Sequence, residues 1–435
     1  MTLQHFQNQN KEQKPVREGP EKNVLGVEQQ LPGKAKRVTF LDRWLVNKML
    51  DFAGRPPFIV SLWHGVEYET EINPVAHLKI HDRGALYQLL MNPELHFGDL
   101  YSVGRVDVDG QFLEFLENAY RHIAKSHDDG LLLKLIKWWM QRPRGNSLTA
   151  SRNNIYHHYD ISNEFYSLWL DKAAMQYTCA YYADPDFTLE QAQVAKLHHV
   201  CRKLQLKPGD KVVEAGCGWG GLARFMAKHY GVTVTAYNIS HEQIVFARSR
   251  ALQEGLADKI EYIEDDYRNI DGTYDVFVSV GMLEHIGHKR HQALGKVIDR
   301  CLKPDGRGLV HSIGRNSPGM MNAWIEKRIF PGAHIPALSE MIDIFEPYGF
   351  SIQDVENLRL HYSKTLGHWL ERFEENIDAV REEFDETFCR AWRLYLMGSI
   401  AAFNTSELQL FQVLFTRAEN NNLPWNRAHL YNHKD

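Results

Sequence analysis

The hydrophobic pattern of residues 196–314 alternates between short apolar runs and longer amphipathic segments. KVVEAGCGWGG is typical of a buried strand that ends in glycines, GLARFMAKHYG has helical spacing, and VTVTAYNIS is the next strand. IEYIEDDY, YDVFVSVGM and RGLVHSIG continue the series with three more strands. Because strands and helices alternate over short connections, the pattern predicts a doubly wound α/β unit, in which a parallel sheet binds its ligand above the carboxyl ends of the strands.

The N-terminal part of the chain has a different pattern. RVTFLDRWLVNKML (37–50) has the spacing of an amphipathic helix, and the short β-like runs PPFIVSLWHG and NPVAHLKIHD follow it. Two further helical segments flank a strand-like turn, so we predict a small α+β domain at residues 36–126, with a lipid- or dimer-related role. Residues 1–35 are rich in Gln, Asn, Lys, Glu and Pro, which predicts a disordered tail.

Residues 127–154 link this domain to the rest of the chain. GLLLKLIKWWMQRPRG is strongly apolar and includes Lys134, Lys137, Arg142 and Arg144. A helix with basic side chains, and with tryptophans at its apolar boundary, suits the surface of an anionic membrane. Packing against a neighbouring domain or a dimer partner is the alternative interpretation.

The C-terminal segment, residues 315–435, has mostly helical spacing. The clearest examples are HWLERFEENIDAVREEF and RLYLMGSIAAFNTSELQLFQVLF. We expect this segment to complete the sheet and to wall off a pocket, so that the large domain spans residues 155–435.

Composition and charge narrow the classes of function. The chain has 435 residues and a formal charge of −5, which argues against a nucleic-acid partner. No run approaches a membrane span, and the first thirty residues have no hydrophobic signal region, so we expect a cytoplasmic protein, at most peripheral on the inner face of the membrane. Five scattered cysteines argue against a disulfide framework. His285 and His288 lack a third ligand at useful spacing, so no metal is predicted.

A glycine turn identifies the ligand-binding edge of the predicted sheet. Gly216, Gly218 and Gly221 form G-x-G-x-x-G between a strand and a helix, a pattern that NAD, FAD and S-adenosylmethionine sites share. Dinucleotide folds usually end the next strand with an acidic residue for the ribose, whereas this strand ends YNIS (237–240). The third strand ends DDY (265–267), a carboxylate and a ring where a methyltransferase holds its adenine. These endings favour S-adenosylmethionine.

Several motifs together resemble one family. EAGCGWGGLARFMA, with YTCAYY before it and VSVGMLEHIGHKR after it, is similar to the cyclopropane fatty acid synthases, a family that includes the mycolic acid methyltransferases. The similarity continues through LVHSIG, IFPG, LHYSKTL, WLERF and QLFQVLFTR, and the small domain resembles the extra domain of the long bacterial synthases. The resemblance implies a Rossmann-like class I S-adenosylmethionine-dependent methyltransferase domain that transfers a methyl group to the double bond of a phospholipid acyl chain.

The resemblance also implies a cofactor site. The positions that match the family's cofactor contacts are Tyr177, Thr178, Gly216, Cys217, Gly218, Asn238, Ile239, Ser240, His241, Glu242, Gln243, Asp266 and Tyr267.

A second implied site holds the base. Methyl transfer leaves a carbocation on the acyl chain, which aromatic faces can stabilise, and ring closure then needs a base. The family uses a bound bicarbonate ion, and the matching positions here are Cys179, Glu284, His311, Ile313 (through its backbone) and Tyr362. His311, Tyr362 and backbone N–H groups can donate to its oxygens, and the Glu284 carboxylate can accept from its hydroxyl.

One position departs from the family pattern. Family members commonly carry a cysteine in the C-terminal helix where LYLMGSIAAF has Ser399. Methyl transfer to an alkene offers no centre for a protein nucleophile, so we expect serine to be tolerated, with its hydroxyl bonded to a carbonyl one turn back.

The sequence therefore predicts an enzyme that makes cyclopropane fatty acyl chains at a phospholipid membrane surface. It has no predicted nucleic-acid partner, and a homodimer is left open. The alternatives are a methyl-branching or other lipid or alkene methyltransferase of the same family, and a catalytically retired protein that binds lipid or cofactor.

Overall fold

The computed structural model describes residues 24–27, 37–52, 54–68, 74–125, 161–287 and 290–431. The linker at 127–154, with its predicted basic helix, and most of the predicted tail lie outside the described residues.

The described strands form two sheets. In chain order the strands are β1 Phe58–Leu62, β2 Val66–Tyr68, β3 Ala76–Ile80, β4 Val106–Gly110, β5 Lys211–Ala215, β6 Thr233–Asn238, β7 Ile260–Glu264, β8 Tyr274–Val280, β9 Leu302–Gly314, β10 Phe350–Asn357 and β11 Gln409–Arg417.

Helices flank both sheets. The α-helices are α1 Phe40–Phe52, α2 Arg83–Met91, α3 Pro93–Ser102, α4 Phe112–Lys125, α5 Asn163–Trp169, α6 Leu189–Lys203, α7 Gly221–Tyr230, α8 His241–Gln253, α9 His291–Cys301, α10 Leu338–Ile342, α11 Arg359–Glu375, α12 Ile377–Glu383, α13 Glu386–Asn404 and α14 Ala428–Tyr431. Short 3₁₀ turns occur at Tyr267–Asn269, Leu283–His285 and Glu346–Tyr348, and a π-helical turn at Ile325–Ile329.

The smaller sheet has the strand order β2-β1-β3-β4. Strands β1 and β3 run parallel, and the two outer strands pair antiparallel to them. Alternate side chains of β1 and β3 are buried, as expected for a sheet covered on one face. Residues 24–27 differ from the predicted tail, because Leu25 and Val27 are buried in the core and Arg328 donates to the Gly26 carbonyl.

The larger sheet has the order β10-β11-β9-β8-β5-β6-β7. Strands β7, β6, β5, β8 and β9 are parallel, and β11 runs antiparallel to both of its neighbours. The chain moves outward in one direction from β5 to β7 and then in the other from β8. This reversal opens a crevice at the carboxyl end of β5. The doubly wound α/β unit predicted from the alternation is confirmed.

The predicted helical spacing across RLYLMGSIAAFNTSELQLFQVLF is wrong in its second half. Helix α13 ends at Asn404, Ser406 adopts a positive φ of 67° in the turn, and β11 begins at Gln409. Strand β11 lies between β9 and β10 and is buried on both faces, so its apolar residues run on without alternating. Such a run cannot be distinguished from a buried helix by periodicity. The expectation that this C-terminal segment completes the sheet is confirmed by β10 and β11.

The small α+β region packs directly on the large one through α13, which contacts α3 and α4. Arg390 on α13 donates to the Tyr101 carbonyl at 2.6 Å and pairs with Asp107 at 2.5 Å. A second ion pair joins Arg328 to Asp99 at 2.8 Å. One hydrophobic cluster continues from the small sheet into the helices of the large domain. The two regions therefore share a core.

Candidate active site

The glycine turn connects β5 to α7, as the sequence predicts. Gly216 and Gly218 have positive φ angles of 84° and 52°, which glycine adopts without strain. A Cβ at Gly216 would lie 2.8 Å from the Cβ of Met282, so the site also has no room for a side chain. The N–H groups of Gly216 and Cys217 both donate to the Tyr237 carbonyl, at 2.9 and 3.0 Å. These bonds fix the turn against the end of β6.

A crevice opens at the carboxyl ends of β5, β6 and β7. Five of the predicted cofactor residues line it: Gly216, Asn238, Ile239, Asp266 and Tyr267. The structure therefore brings together residues from three separate strand ends, which is where a doubly wound sheet binds its ligand.

Asn238 connects the two sides of this crevice. Its amide nitrogen donates to the Gly218 carbonyl at 3.2 Å and to the Gln243 side chain at 2.8 Å. The Ser240 hydroxyl caps α8 by accepting from the Gln243 N–H at 3.4 Å. Because the Gln243 side chain turns to Asn238, Ser240 and Gln243 form only one half of a capping box.

His241 and Glu242 occupy the exposed first turn of α8. The His241 ring bonds the Glu264 carboxylate at 2.8 Å, on the surface. The side chains of these two predicted residues are therefore solvent-facing in the described structure.

Asp266 is held as a carboxylate beside the crevice. Burial opposes its ionisation, but hydrogen bonds from the Arg268 guanidinium, both at 2.7 Å, hold its pKa below the ordinary value. A carboxylate can accept about four hydrogen bonds, so Asp266 keeps acceptor capacity for an amino group of a ligand.

Glu284 is a buried carboxyl group near this edge. It is buried in the 3₁₀ turn after β8, and its Oε1 accepts the Ile313 N–H at 2.6 Å. Its Oε2 is buried and has no hydrogen-bond partner of normal geometry among the described residues. Burial raises the pKa of Glu284 to about 7, although backbone N–H groups and the Ser312 hydroxyl oppose the shift. The unpartnered oxygen is suited to a bound hydroxyl donor.

His311 lies two residues before Ile313, on β9. Burial lowers its pKa to about 3, and the charges of Lys196 and Lys203 add to the shift, so its ring is neutral. Gln412 stands opposite His311 in the β9–β11 register, and its amide nitrogen lies 3.1 Å from Nδ1. With the Gln412 amide in this orientation, its nitrogen donates to Nδ1 and the ring proton lies on Nε2, which can then donate to an anion.

Tyr362 lies in the first turn of α11, and Cys179, in the loop before α6, lies near the start of α11. Burial raises the pKa of the Cys179 thiol, which donates to the Ala180 carbonyl at 3.1 Å and is therefore no nucleophile. The Tyr362 ring packs against Phe403 and Trp369, with centroids 4.8 and 5.9 Å away.

A chain of contacts connects this group to the Glu284 group. The Cys179 sulfur lies 4.0 Å from the Leu358 carbonyl. The Leu358 N–H donates to the Leu410 carbonyl at 2.8 Å, and Leu410 pairs with Ile313 in the sheet. The predicted bicarbonate residues therefore form two adjoining groups, and the Ile313 N–H is used by Glu284.

An aromatic cluster surrounds Tyr177. Its hydroxyl is 2.8 Å from that of Tyr395, and its ring lies 5.3 Å from both Trp169 and Trp369. The Ser399 hydroxyl donates to the Tyr395 carbonyl at 2.8 Å, which confirms the bond expected one turn back.

Two buried polar residues were missed from the sequence. One is Gln412; the other is Lys196, which lies on α6 and donates to Gln176 and, at 3.0 Å, to the Thr178 hydroxyl. Burial lowers the Lys196 pKa to about 8, against the raising effect of Asp171. The signal was available, because Lys196 falls in a helical row of apolar residues where a charge needs a partner.

The described residues include no cluster suited to a metal ion. His288 lies outside the described residues, and within the described ranges no group of three or more His, Cys, Asp or Glu could hold a metal ion. The same part of the chain has no helix with the length and apolar character to span a bilayer.

Comparison with known proteins places these features in context. A family model described as mycolic acid cyclopropane synthetase matches residues 146–413. A probable fatty acid methyltransferase of Pseudomonas putida is 34% identical over 386 residues, covering 86% of this chain and 96% of its own. The cyclopropane-fatty-acyl-phospholipid synthase of Escherichia coli K12 is 42% identical over 267 residues, which is 61% of this chain and 68% of that protein.

A solved structure supports the fold. The mycolic acid cyclopropane synthase CmaA1, complexed with SAH and CTAB, is 28% identical and aligns with a TM-score of 0.58 over 61% of this chain and 98% of its own. The predicted Rossmann-like class I methyltransferase fold is confirmed.

Proposed function

The chain belongs to the mycolic acid cyclopropane synthetase family, and on that premise we propose that it transfers a methylene group from S-adenosylmethionine to the double bond of unsaturated acyl chains in membrane phospholipids, forming cyclopropane rings. The observation that carries the proposal is the buried Glu284 carboxyl group, with one oxygen unpartnered among the described residues, close in the fold to the neutral His311. The nearby crevice at the ends of β5, β6 and β7 supports a cofactor site.

S-adenosylmethionine is the proposed cofactor, and it supplies an electrophilic methyl group when bound. The glycine turn lets the backbone approach the cofactor closely. Asn238, at the position where dinucleotide folds carry an acid, supports this choice over NAD. Asp266, ionised beside Arg268, can accept from the amino group of adenine.

Bicarbonate is the proposed base, and the residues present fit it. Glu284 Oε2 offers the acceptor that a bicarbonate hydroxyl needs, and His311 Nε2–H offers a donor to its oxygens. Ile313 then acts by holding Glu284 in place through its N–H. The Cys179 thiol and the rings of Tyr177 and Tyr362 would line a side of the site that excludes water. The π faces of the two rings can stabilise a cation.

Lipid analysis tests the proposal. Cells that express the chain should accumulate unsaturated fatty acids enlarged by one CH₂ unit, which mass spectrometry detects, and NMR should show ring protons. Calorimetry should show binding of S-adenosylmethionine and no comparable binding of NAD. Unaltered lipids in cells that contain folded protein would contradict the proposal and favour a catalytically retired lipid- or cofactor-binding protein.

A methyl-branching reaction is the second candidate. The Pseudomonas putida relative, which aligns over 86% of this chain, carries the name of a probable fatty acid methyltransferase, and Ser399 replaces the cysteine common in the synthases. NMR distinguishes the outcomes, because a branched chain gives a methyl doublet and no ring signals.

The proposal also includes the location of the protein in the cell. We propose that the protein is cytoplasmic, that it attaches peripherally to the inner face of the membrane, where its phospholipid substrate lies, and that it has no nucleic-acid partner. Sedimentation of the purified protein would show whether it forms a homodimer.

A further inference from the structure

Helix α1 exposes large apolar side chains on its outer face. Phe40, Leu41 and Trp44 are 83%, 52% and 48% exposed, whereas Val46 and Leu50 on the opposite face are buried in the core. Isolated exposed apolar residues are common, but three within one turn and a half form a patch that soluble surfaces avoid.

Helix α2 packs against α1 and also exposes apolar side chains. Tyr87 and Met91, one turn apart, are 38% and 64% exposed. The two helices are joined at one end, where the Arg83 guanidinium binds the buried Asp42 carboxylate at 2.7 Å. This bond fixes both apolar rows on one rigid pair of helices. We call the set the α1–α2 face; it consists of Phe40, Leu41, Trp44, Tyr87 and Met91.

The α1–α2 face is bordered by excess positive charge. Arg37, Arg43 and Lys48 are exposed on or beside α1. Residues 37–55 contain four basic and two acidic side chains. Asp42 is neutralised by Arg83 from the next helix. Asp51 pairs with Lys48 and Arg55, so the net charge of the segment stays positive. The face therefore combines aromatic and aliphatic side chains with basic neighbours.

This charge selects among the occupants that could cover the face. A second copy related by a twofold axis would bring the same basic residues against one another. The chain's own apolar segment 130–144 carries Lys134, Lys137, Arg142 and Arg144, and is also basic. An anionic bilayer instead offers negative headgroups for the basic side chains and an acyl boundary for the aromatic ones.

We propose that the α1–α2 face docks the protein on an anionic phospholipid bilayer, with Phe40 and Trp44 entering the headgroup–acyl boundary. The purpose of this docking rests on the proposed lipid methyltransferase function, but the binding itself does not. It gives the small α+β region a role in reaching the substrate.

Vesicle sedimentation of the full-length protein tests the proposal without cofactor. The wild type should bind phosphatidylglycerol-containing vesicles more tightly than pure phosphatidylcholine vesicles, and added salt should weaken the binding. Two variants should each weaken vesicle binding at least about fivefold: the double variant Phe40→Ser with Trp44→Ser, and the single variant Arg43→Glu. For Arg43→Glu, the loss of one basic contact with the membrane already accounts for this factor. Leu252→Ser is the control, because Leu252 is 71% exposed on α8, away from the face.

Two controls separate the outcomes. Circular dichroism and S-adenosylmethionine calorimetry should show that the variants are folded, and their masses in solution should match the wild type. Vesicle binding that is unchanged in both variants would overturn the proposal, and a simultaneous change in mass would assign the face to a second copy. Wild-type protein that binds vesicles through this face but never alters lipid would refute the proposed function and leave the docking intact.

Discussion

Replacing Glu284 by glutamine removes a charge from a buried side chain while keeping its shape. In the wild type, Oε1 accepts the Ile313 N–H at 2.6 Å and Oε2 has no partner among the described residues. The amide oxygen of Glu284→Gln can still accept from Ile313, so its NH₂ group would occupy the place of Oε2. The amide NH₂ group donates hydrogen bonds, and so does the hydroxyl of bicarbonate. The hydroxyl would therefore lose its acceptor.

The activity of Glu284→Gln should fall by about 10² or more, the usual scale for general acid–base catalysis, because the base would lose the group that orients its hydroxyl. Such a loss corresponds to about 2.7 kcal/mol of barrier. Because the pKa of Glu284 is about 7 and the ionised form is needed, wild-type turnover should rise with pH through this value. That limb of the pH profile should be absent from the residual activity of the variant.

The stability of Glu284→Gln should change in the opposite direction. Burial raises the Glu284 pKa from 4.5 to about 7, so the folded state favours the protonated form. Wild-type stability is therefore lost as the pH rises from 4.5 through 7, by about 3 kcal/mol for one such group. Glutamine carries no charge, so the variant should gain about 3 kcal/mol at pH 8 and less than about 1 kcal/mol at pH 5.

Two measurements and one control check this reasoning. Lipid product is measured by mass spectrometry on vesicles, and urea unfolding is measured at pH 5 and pH 8. Glu346→Gln is the matched control, because Glu346 is exposed in the first turn of another 3₁₀ helix and should change neither quantity. Activity within about threefold of wild type would refute the role of Glu284 in orienting the base, and a variant less stable than wild type at pH 8 would make the carboxylate structural.

Three further sets of substitutions test the roles predicted for Ser399, for Gln412 and for the basic segment with Lys134 and Lys137. Ser399→Cys should alter turnover by less than about tenfold, because no step needs a protein nucleophile, and a gain of orders of magnitude would favour a retired enzyme. Gln412→Glu should lower activity more than Gln412→Leu, because a carboxylate would hold the His311 proton on Nδ1; nitrogen NMR of the ring reads the tautomer, and an unchanged tautomer would contradict the assignment. Lys134→Glu with Lys137→Glu should weaken vesicle binding and its salt dependence, and unchanged binding would favour packing of that segment.

The sequence predicted the parts of the fold in which local pattern and tertiary position agree. Alternating strands and helices determined the parallel sheet from β5 to β9, because each βαβ crossover leaves one favourable arrangement. The prediction from the sequence pattern failed at β11. Burial of this strand on both faces removes the alternation of apolar and polar residues and leaves a continuous apolar run. The strand boundary at Gln409 depends on the turn around Ser406, and no glycine or proline there announces it.

Some residues of the candidate site could likewise be placed from the sequence, and others could not. Gly216, Asn238 and Asp266 could be placed together because each ends a strand of one sheet. Gln412 could not, since its contact with His311 depends on the register of two strands about a hundred residues apart. The exposed end of α1 also could not be predicted, because helical spacing identifies a buried face without showing what covers the other one.

The shared core around α13 has a geometric consequence for the reaction. Arg390 on this helix holds the small region through Tyr101 and Asp107, while Tyr395, one turn later, meets Tyr177. Such a helix acts as a strut between the docking region and the aromatic cluster. With the α1–α2 face on a bilayer, the height of the reaction centre above the lipid is set by this strut and not by the length of the linker. If the proposed function holds, this distance would determine which carbon of the acyl chain, counted from the headgroup, is methylated.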